Sequence, residues 1–327
     1  MAQIFHEKDA SLDSVKGKTI AVIGYGAQGR AQALMMHDSG LNVVVGIRPG
    51  KSADNAKADG LKTLSVAEAA EKADIIHVLL PDEVQGTIYE KEILPHLKPG
   101  KVLGFSHGFN IVFKKIVPPE GVDVIMVAPK APGTEERKRY LEGFGVPALI
   151  AIEKDSSGKA KDIALGLAKA MRFTKAGVFE CTFAQETYSD LFGEQSVLCG
   201  GTAELIKAGF ETLTERGYPP EIAYFECLHE LKLIVDLINE GGIEHMWDVV
   251  SNTAEYGGRT RGKAIITPET KKSMGKLLDD IESGKFAEEW ISEYRSGAKN
   301  FSELRKLDSE HLIEKTGKEI RALFEKE

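Results

Sequence analysis

The chain has 327 residues, enough for two domains at about 150 residues each, and its 42% apolar and 28% charged content is that of a soluble globular protein, which excludes a disordered or collagenous chain. Its 42 basic and 50 acidic residues leave a net charge of −8, with no basic tract to neutralise a phosphate backbone, so nucleic acid is not an expected partner. The longest apolar runs, such as residues 146–152, fall far short of the roughly 20 residues that span a bilayer, and the acid-bearing first 17 residues lack the apolar core of a signal peptide. Cys181, Cys199 and Cys227 are widely spaced, form no CxxC pair and fit a reducing compartment. A cytoplasmic protein of two domains is expected.

The first half repeats one pattern. Apolar, β-branched runs at 19–23, 43–47, 74–80, 102–105, 122–127 and 148–152 end in Gly or Pro and alternate with Ala/Lys/Glu-rich stretches such as 66–72. Runs that are apolar throughout suit strands covered on both faces, and strand alternating with helix predicts a Rossmann-like parallel α/β sheet. After residue 181 the strands stop and helical patterns follow over 185–216, 220–239 and 268–283. Pro219 and Pro220 mark a helix start and Gly241-Gly242 a stop. The expected domains are 1–181, binding a dinucleotide, and 182–327, all-helical. The charge-rich last 27 residues read as a solvated helix.

The run 19–23 leads directly into Gly24-Tyr25-Gly26-Ala27-Gln28-Gly29 and then into a helix former. A GxGxxG between a strand and a helix is the context of a dinucleotide loop. Gly24 makes the tight turn, Gly26 admits the pyrophosphate, and Gly29 permits close helix–strand packing. At the end of the next strand, where NAD sites usually carry an acid, the chain offers Arg48, Lys51 and Ser52. Two cations and a hydroxyl suit a 2′-phosphate, which predicts NADPH. Asp54 nearby keeps NADH use open.

Ligands of open α/β sheets lie outside the carboxyl ends of the strands. Three later strand ends deliver Asp82, Glu83, Val84 and Gln85, then His107, then Lys130 and Gly133. His107 beside a glycine and Lys130 between prolines stand on stiff turns, and together they are candidates for catalysis.

In the second half, Asp190/Glu194 and Glu226/Glu230 are i,i+4 acidic pairs, each placing two like charges on one helix face. At 100° per residue, Glu226 and Glu230 project from an apolar sector shared with Ile222, Leu233, Ile234 and Leu237. Asp190 and Glu194 lie similarly near Val197 and Leu198. Unpartnered carboxylates in such surroundings should be protonated, salt-bridged or bound to metal, and an all-oxygen donor set suits Mg²⁺. His229 reads as a surface residue.

Four segments, Gly24–Gly29, DLFGEQ (190–195), FECLHELK (225–232) and SNTAEYG (251–257), together resemble ketol-acid reductoisomerase, the acetohydroxyacid isomeroreductase family, along essentially the whole chain and at the length of its short class I members. The resemblance implies a Mg²⁺-dependent alkyl shift in 2-acetolactate or 2-aceto-2-hydroxybutyrate followed by NADPH reduction, a shared step of valine, leucine and isoleucine biosynthesis. It implies a knotted helical domain and a homodimer, or a larger homo-oligomer, with shared sites. Two Mg²⁺ ions would be held by Asp190 and Glu194 together with the partner subunit's Glu226 and the partner subunit's Glu230. It makes His107 and Lys130 active-site residues and Ser251 a substrate contact. Tyr25, Gly26, Ala27, Gln28, Arg48, Ser52, Asp82, Glu83, Val84, Gln85 and Gly133 would line the cofactor site. Glu230, or a water on the metal, is the candidate proton carrier. Arg30 stands where many relatives have histidine. Two other readings stay open: a metal-free NADP-dependent β-hydroxyacid dehydrogenase, and a silent NADP(H) sensor.

Overall fold

The computed structural model describes residues 2–324. The chain divides into two compact units between Ser189 and Asp190.

The first unit is a nine-stranded sheet: β1 (Ile4–Phe5), β2 (Thr19–Ile23), β3 (Asn42–Gly46), β4 (Lys62–Leu64), β5 (Ile75–Val78), β6 (Val102–Phe105), β7 (Asp123–Pro129), β8 (Ala148–Lys154) and β9 (Val178–Glu180), in the order β1-β9-β8-β7-β6-β5-β2-β3-β4. The helices of this unit are α1 (Ala27–Asp38), α2 (Lys51–Ala58), α3 (Val66–Lys72), α4 (Asp82–Ile88), α5 (Phe109–Val112), α6 (Gly133–Leu141), α7 (Ala160–Ala170) and α8 (Phe173–Ala176). Although β2 is apolar at nearly every position, its side chains alternate between two cores. Ile20 and Val22 join Met35, Val45 and Leu167 on one face. Ala21 and Ile23 join Val66, Ile76 and Phe105 on the other. This is what a doubly covered strand requires.

The expected parallel sheet holds for β2 with β3 and β5, and for β5-β6-β7. It fails at one side: β8 runs antiparallel to β7, and β1 antiparallel to β9. Both are backbone-pairing choices that a run of Val and Ile does not encode. The chain leaves β2 toward β3 and β4 and returns to β5 on the other side of β2. That reversal is the switch point at which such sheets bind ligands, and the glycine loop stands on it.

α9 (Phe183–Gly193) runs across the boundary into the second unit, where the described residues after it form α10 (Gly200–Glu215), α11 (Pro220–Tyr224), α12 (Leu231–Val249), α13 (Asn252–Ile265), α14 (Pro268–Glu282), α15 (Lys285–Arg295), α16 (Lys299–Glu310) and α17 (Leu312–Ala322). The unbroken helix expected over 185–216 is interrupted by a π turn at Glu194–Leu198, closed by Cys199 N–H to Glu194 O at 3.0 Å. The helix expected over 220–239 has a second π turn at Phe225–His229, closed by Glu230 N–H to Phe225 O at 3.1 Å. Within α12 the first helical stretch stops at Gly241-Gly242, as expected: Gly242 takes φ +88° and ψ 178°, a non-helical conformation open to glycine, and a second helical stretch follows at once. Phe210, Ala223, Tyr224, Ile313 and Ile320 form a small core here. No described helix is long and apolar enough to cross a membrane.

Candidate active site

Gly24 has φ +103°, and a Cβ there would stand 2.7 Å from the Leu79 carbonyl oxygen, so the turn out of β2 admits only glycine. At Gly26, by contrast, a Cβ would meet nothing within 4 Å: the backbone faces open space in front of the α1 N-terminus. A second helix start closes on the same place, for a Cβ on Gly133 at the head of α6 would lie 2.4 Å from the Ala27 carbonyl oxygen. Two helix N-termini and an unfilled glycine cradle suit a dinucleotide pyrophosphate.

The Tyr25 hydroxyl donates to Asp59 at 2.8 Å, and Arg30 grips the same carboxylate through Nε at 2.7 Å and Nη2 at 2.8 Å. The Arg30 hydrogen bonds hold Asp59 below the ordinary carboxylate range. Arg30 is therefore committed to tying α1 to the end of α2. Arg48, Lys51 and Ser52 are exposed, the last two in the first turn of α2, with Asp54 exposed beside them.

Asp82 opens α4. Burial raises its pKa to about 6, with the charge of His107 opposing the shift. Its Oδ1 accepts from Gln85 Nε2 and Asn110 Nδ2, each at 3.2 Å. Gln85 is buried, and its Nε2 also donates to the Leu80 carbonyl at 2.7 Å. Gln85 thus braces this turn from within. Glu83 and Val84 are half-buried.

His107 and Lys130 meet through a residue that sequence reading passed over. Glu186 of α9 is 1% exposed. Its carboxylate takes the Lys130 ammonium at 3.0 Å, His107 Nδ1 at 3.1 Å and the Gly108 amide at 3.1 Å. Burial alone pushes Glu186 upward, but the hydrogen bond and charge of His107 and the charge of Lys130 overcome it and hold the group below the ordinary glutamate value. A Cβ on Gly108 would come 2.3 Å from Thr187 Oγ1, so glycine at 108 is what lets α9 approach this turn. The signal for Glu186 was present: 186, 190 and 194 form one acidic stripe at i,i+4 spacing. Asp190 is therefore one turn beyond Glu186 on the same face of α9, and it is half-buried.

Glu194 begins the first π turn, and Glu226 and Glu230 lie within and just after the second. π turns insert an extra residue per turn and occur frequently at functional sites. The burial expected from the simple helical wheel does not hold. Glu194, Glu226 and Glu230 are exposed, not buried among apolar side chains. The apolar side chains beside them are real but uncovered: Val197 is 50% exposed, Leu198 70%, Ile222 50% and Leu233 57%. Among the described residues, no three of Asp190, Glu194, Glu226 and Glu230 bring ligand oxygens within 4.8 Å of one another in one chain. Carboxylate-only donors on helices fit a hard, oxygen-loving cation such as Mg²⁺. Ser251 caps α13, its Oγ accepting from the Ala254 amide at 3.2 Å. His229 is exposed, as expected, and stacks on Phe324.

Known proteins resemble this chain along its whole length. Residues 14–177 match the acetohydroxy acid isomeroreductase NADPH-binding domain, and residues 183–326 the ketol-acid reductoisomerase C-terminal domain. The chain is similar to the ketol-acid reductoisomerase (NADP(+)) of Akkermansia muciniphila, 61% identical over 323 residues and 99% of both chains. It is 58% identical over 328 residues to a ketol-acid reductoisomerase (NAD(+)) of the uncultured archaeon GZfos26G2, covering 98% of this chain and 99% of that one. A solved NADH-preferring ketol-acid reductoisomerase from an uncultured archaeon superimposes with TM-score 0.96 at 58% identity, over 99% of this chain and 100% of that one. The chain belongs to the ketol-acid reductoisomerase family of oxidoreductases.

Proposed function

We propose that the protein converts 2-acetolactate and 2-aceto-2-hydroxybutyrate to 2,3-dihydroxy-3-methyl acids in valine, leucine and isoleucine biosynthesis. An alkyl group leaves the hydroxyl-bearing carbon with its bonding pair for the neighbouring carbonyl carbon. The hydroxyl loses its proton and becomes the new ketone, while the old carbonyl oxygen gains one. A hydride from the nicotinamide and a proton then reduce the new ketone. The observation that carries this reading is the buried Glu186, which gathers His107 and Lys130 at adjacent strand ends on the same helix face as Asp190.

With Nδ1 turned to a carboxylate held in its charged form, the His107 ring has one orientation and one tautomer, with Nδ1–H donated. Lys130 keeps its charge at the same point, where it polarises an oxygen of the substrate or orders water. Asp190 and Glu194 of one chain, with the partner subunit's Glu226 and the partner subunit's Glu230, would hold two Mg²⁺. When bound, the ions supply Lewis-acid polarisation of the carbonyl and stabilise the developing negative oxygen. Glu230 is our candidate for carrying the proton between the two substrate oxygens. Ser251, with its O–H still available while its oxygen caps α13, is the candidate substrate contact.

The uncovered apolar side chains around both acidic pairs support a homodimer with shared sites. Arg48, Lys51 and Ser52 at the head of α2 favour NADPH. The exposed Asp54 and the NADH-preferring relative give NADH use a second place. Free cysteines and the absence of a membrane-length helix among the described residues support a cytoplasmic location. The test is NADPH oxidation with 2-acetolactate, with and without Mg²⁺, repeated with NADH. Mg²⁺-dependent turnover is expected, and undiminished turnover in excess EDTA contradicts it.

A further inference from the structure

A chain of two side-chain amides, one half-buried and one buried, lies behind the catalytic turns. Gln28 Nε2 donates to the Ala131 carbonyl at 3.0 Å, in the loop that carries Lys130. Gln32, one turn further along α1 and wholly buried, donates from Nε2 to Gln28 Oε1 at 3.1 Å and to Ser106 Oγ at 3.0 Å. Its Oε1 faces His77 Nε2 at 2.8 Å and Ser106 Oγ at 3.3 Å. Ser106 directly precedes His107.

The direction of every bond follows from one fixed acceptor. A peptide carbonyl only accepts, so Ala131 O turns the Gln28 nitrogen toward itself and leaves Gln28 Oε1 facing Gln32. That oxygen demands the Gln32 nitrogen, which leaves Gln32 Oε1 facing His77 and requires that His77 carry its proton on Nε2. His77 Nδ1 is then an acceptor without a partner, closed in by Gly104, whose Cβ would stand 2.8 Å away. Burial lowers the pKa of His77 to about 4, so the ring is neutral at working pH and the order is not scrambled by protonation. All four hydrogen-bonding positions of the Gln32 amide are used, a condition under which a buried network specifies one arrangement.

We infer that Gln32 is a positioning residue for the reaction, locking the glycine loop through Gln28 to the turns that carry His107 and Lys130. The inference rests on the reading of those two residues given above. Its consequence is a split effect: loss of Gln32 loosens the catalytic turns while the main-chain cradle for the pyrophosphate stays.

The experiment measures kcat and NADPH Kd for Gln32→Leu, Ser106→Ala and the double variant, below all their melting temperatures, with His107→Ala as reference. We expect kcat to fall about 10-fold or more for Gln32→Leu and about 3-fold for Ser106→Ala, with Kd within about 3-fold of wild type. The double variant should be no slower than Gln32→Leu alone, because the two groups share one bond network. Ser106→Ala removes a single half-buried hydroxyl and carries the test should Gln32→Leu not fold. If His107→Ala is inactive while Gln32→Leu or Ser106→Ala keeps kcat within twofold of wild type, the inference is wrong. Losses that multiply in the double variant also overturn it. Full activity in His107→Ala refutes the reading of the histidine itself, and the inference with it.

Discussion

Glu186 in the sheet unit and Glu226 in the helical unit are both glutamates carried on helical turns, and the chain answers them differently. Glu186 is 1% exposed and receives a lysine, a histidine and a backbone amide. Glu226 and Glu230 are exposed on a helix whose apolar neighbours Ile222 and Leu233 are half open to solvent. In the sheet unit, Glu186 meets a lysine, a histidine and an amide of that same unit. The helical unit presents carboxylates and uncovered apolar surface, for which we propose an ion at the charges and a second subunit over the surface. A charge satisfied within the fold acts by holding its neighbours in place, whereas one left open is available to bind.

The largest effect that sharpens this contrast is expected from the proposed metal ligands. Asp190→Asn or Glu226→Gln should lower turnover with 2-acetolactate about 1,000-fold or more while NADPH binding by titration changes little. Full activity in Glu226→Gln breaks the metal assignment. Next comes the closed carboxylate. Glu186→Gln keeps the shape but loses the charge that fixes His107 and Lys130, and kcat should fall about 100-fold. Its stability signature has a definite sign. Because the folded chain holds Glu186 below its ordinary value of 4.5, the stabilisation is present above that pH and disappears as pH drops below it. The melting-temperature gap between wild type and Glu186→Gln should therefore narrow on acidification; a gap that widens contradicts the ion-pair account.

A smaller effect belongs to the cofactor end. Replacing Arg48 and Ser52 by alanine together should weaken NADPH about 10-fold and leave NADH nearly unchanged, read as paired dissociation constants. Equal loss for both cofactors removes the 2′-phosphate role. The smallest is a gain. Glu136 on α6 is buried with neither carboxylate oxygen hydrogen-bonded, and burial raises its pKa to about 8, with the nearby Gln28 amide opposing the shift. A raised acid loses stability for the fold as pH climbs from 4.5 through about 8. Glu136→Gln should accordingly stabilise the protein by about 1–3 kcal/mol near pH 9 and by little near pH 4.5, checked by denaturation at both. No gain at pH 9 means the carboxylate finds a partner in solution.

The parts of this fold that rest on local chemistry were legible in the residues. The strands 19–23 and 102–105 and the helix 66–72, opened by the Ser65 cap, lie where their composition puts them. The glycine loop, His107 and Lys130 stand at strand ends because the alternating pattern fixes which end follows which strand. What the residues did not disclose depends on longer-range choices. β4 is three residues of mixed polarity, and β1 and β9 are shorter than any apolar run that marks a strand. The π turns at 194–198 and 225–229 leave composition unchanged and so go unread, and the apolar sector in which a wheel at 100° per residue placed Glu226 and Glu230 is one that a single chain leaves uncovered. Glu186 extends the acidic stripe of 190 and 194, but which loops it ties together shows only in the fold, as does the role of His77, the one polar residue within an apolar strand.

The claim most open to a direct test is that each site is built from two chains. Asp190→Asn and Glu226→Gln subunits, inactive separately, are mixed one to one and allowed to exchange. In a two-fold dimer with shared sites, half the dimers are mixed and each has one site with all four carboxylates intact, so activity should return to about a quarter of wild type. A mixture that exchanges subunits and stays as inactive as its components would show that the four carboxylates do not meet across a dimer.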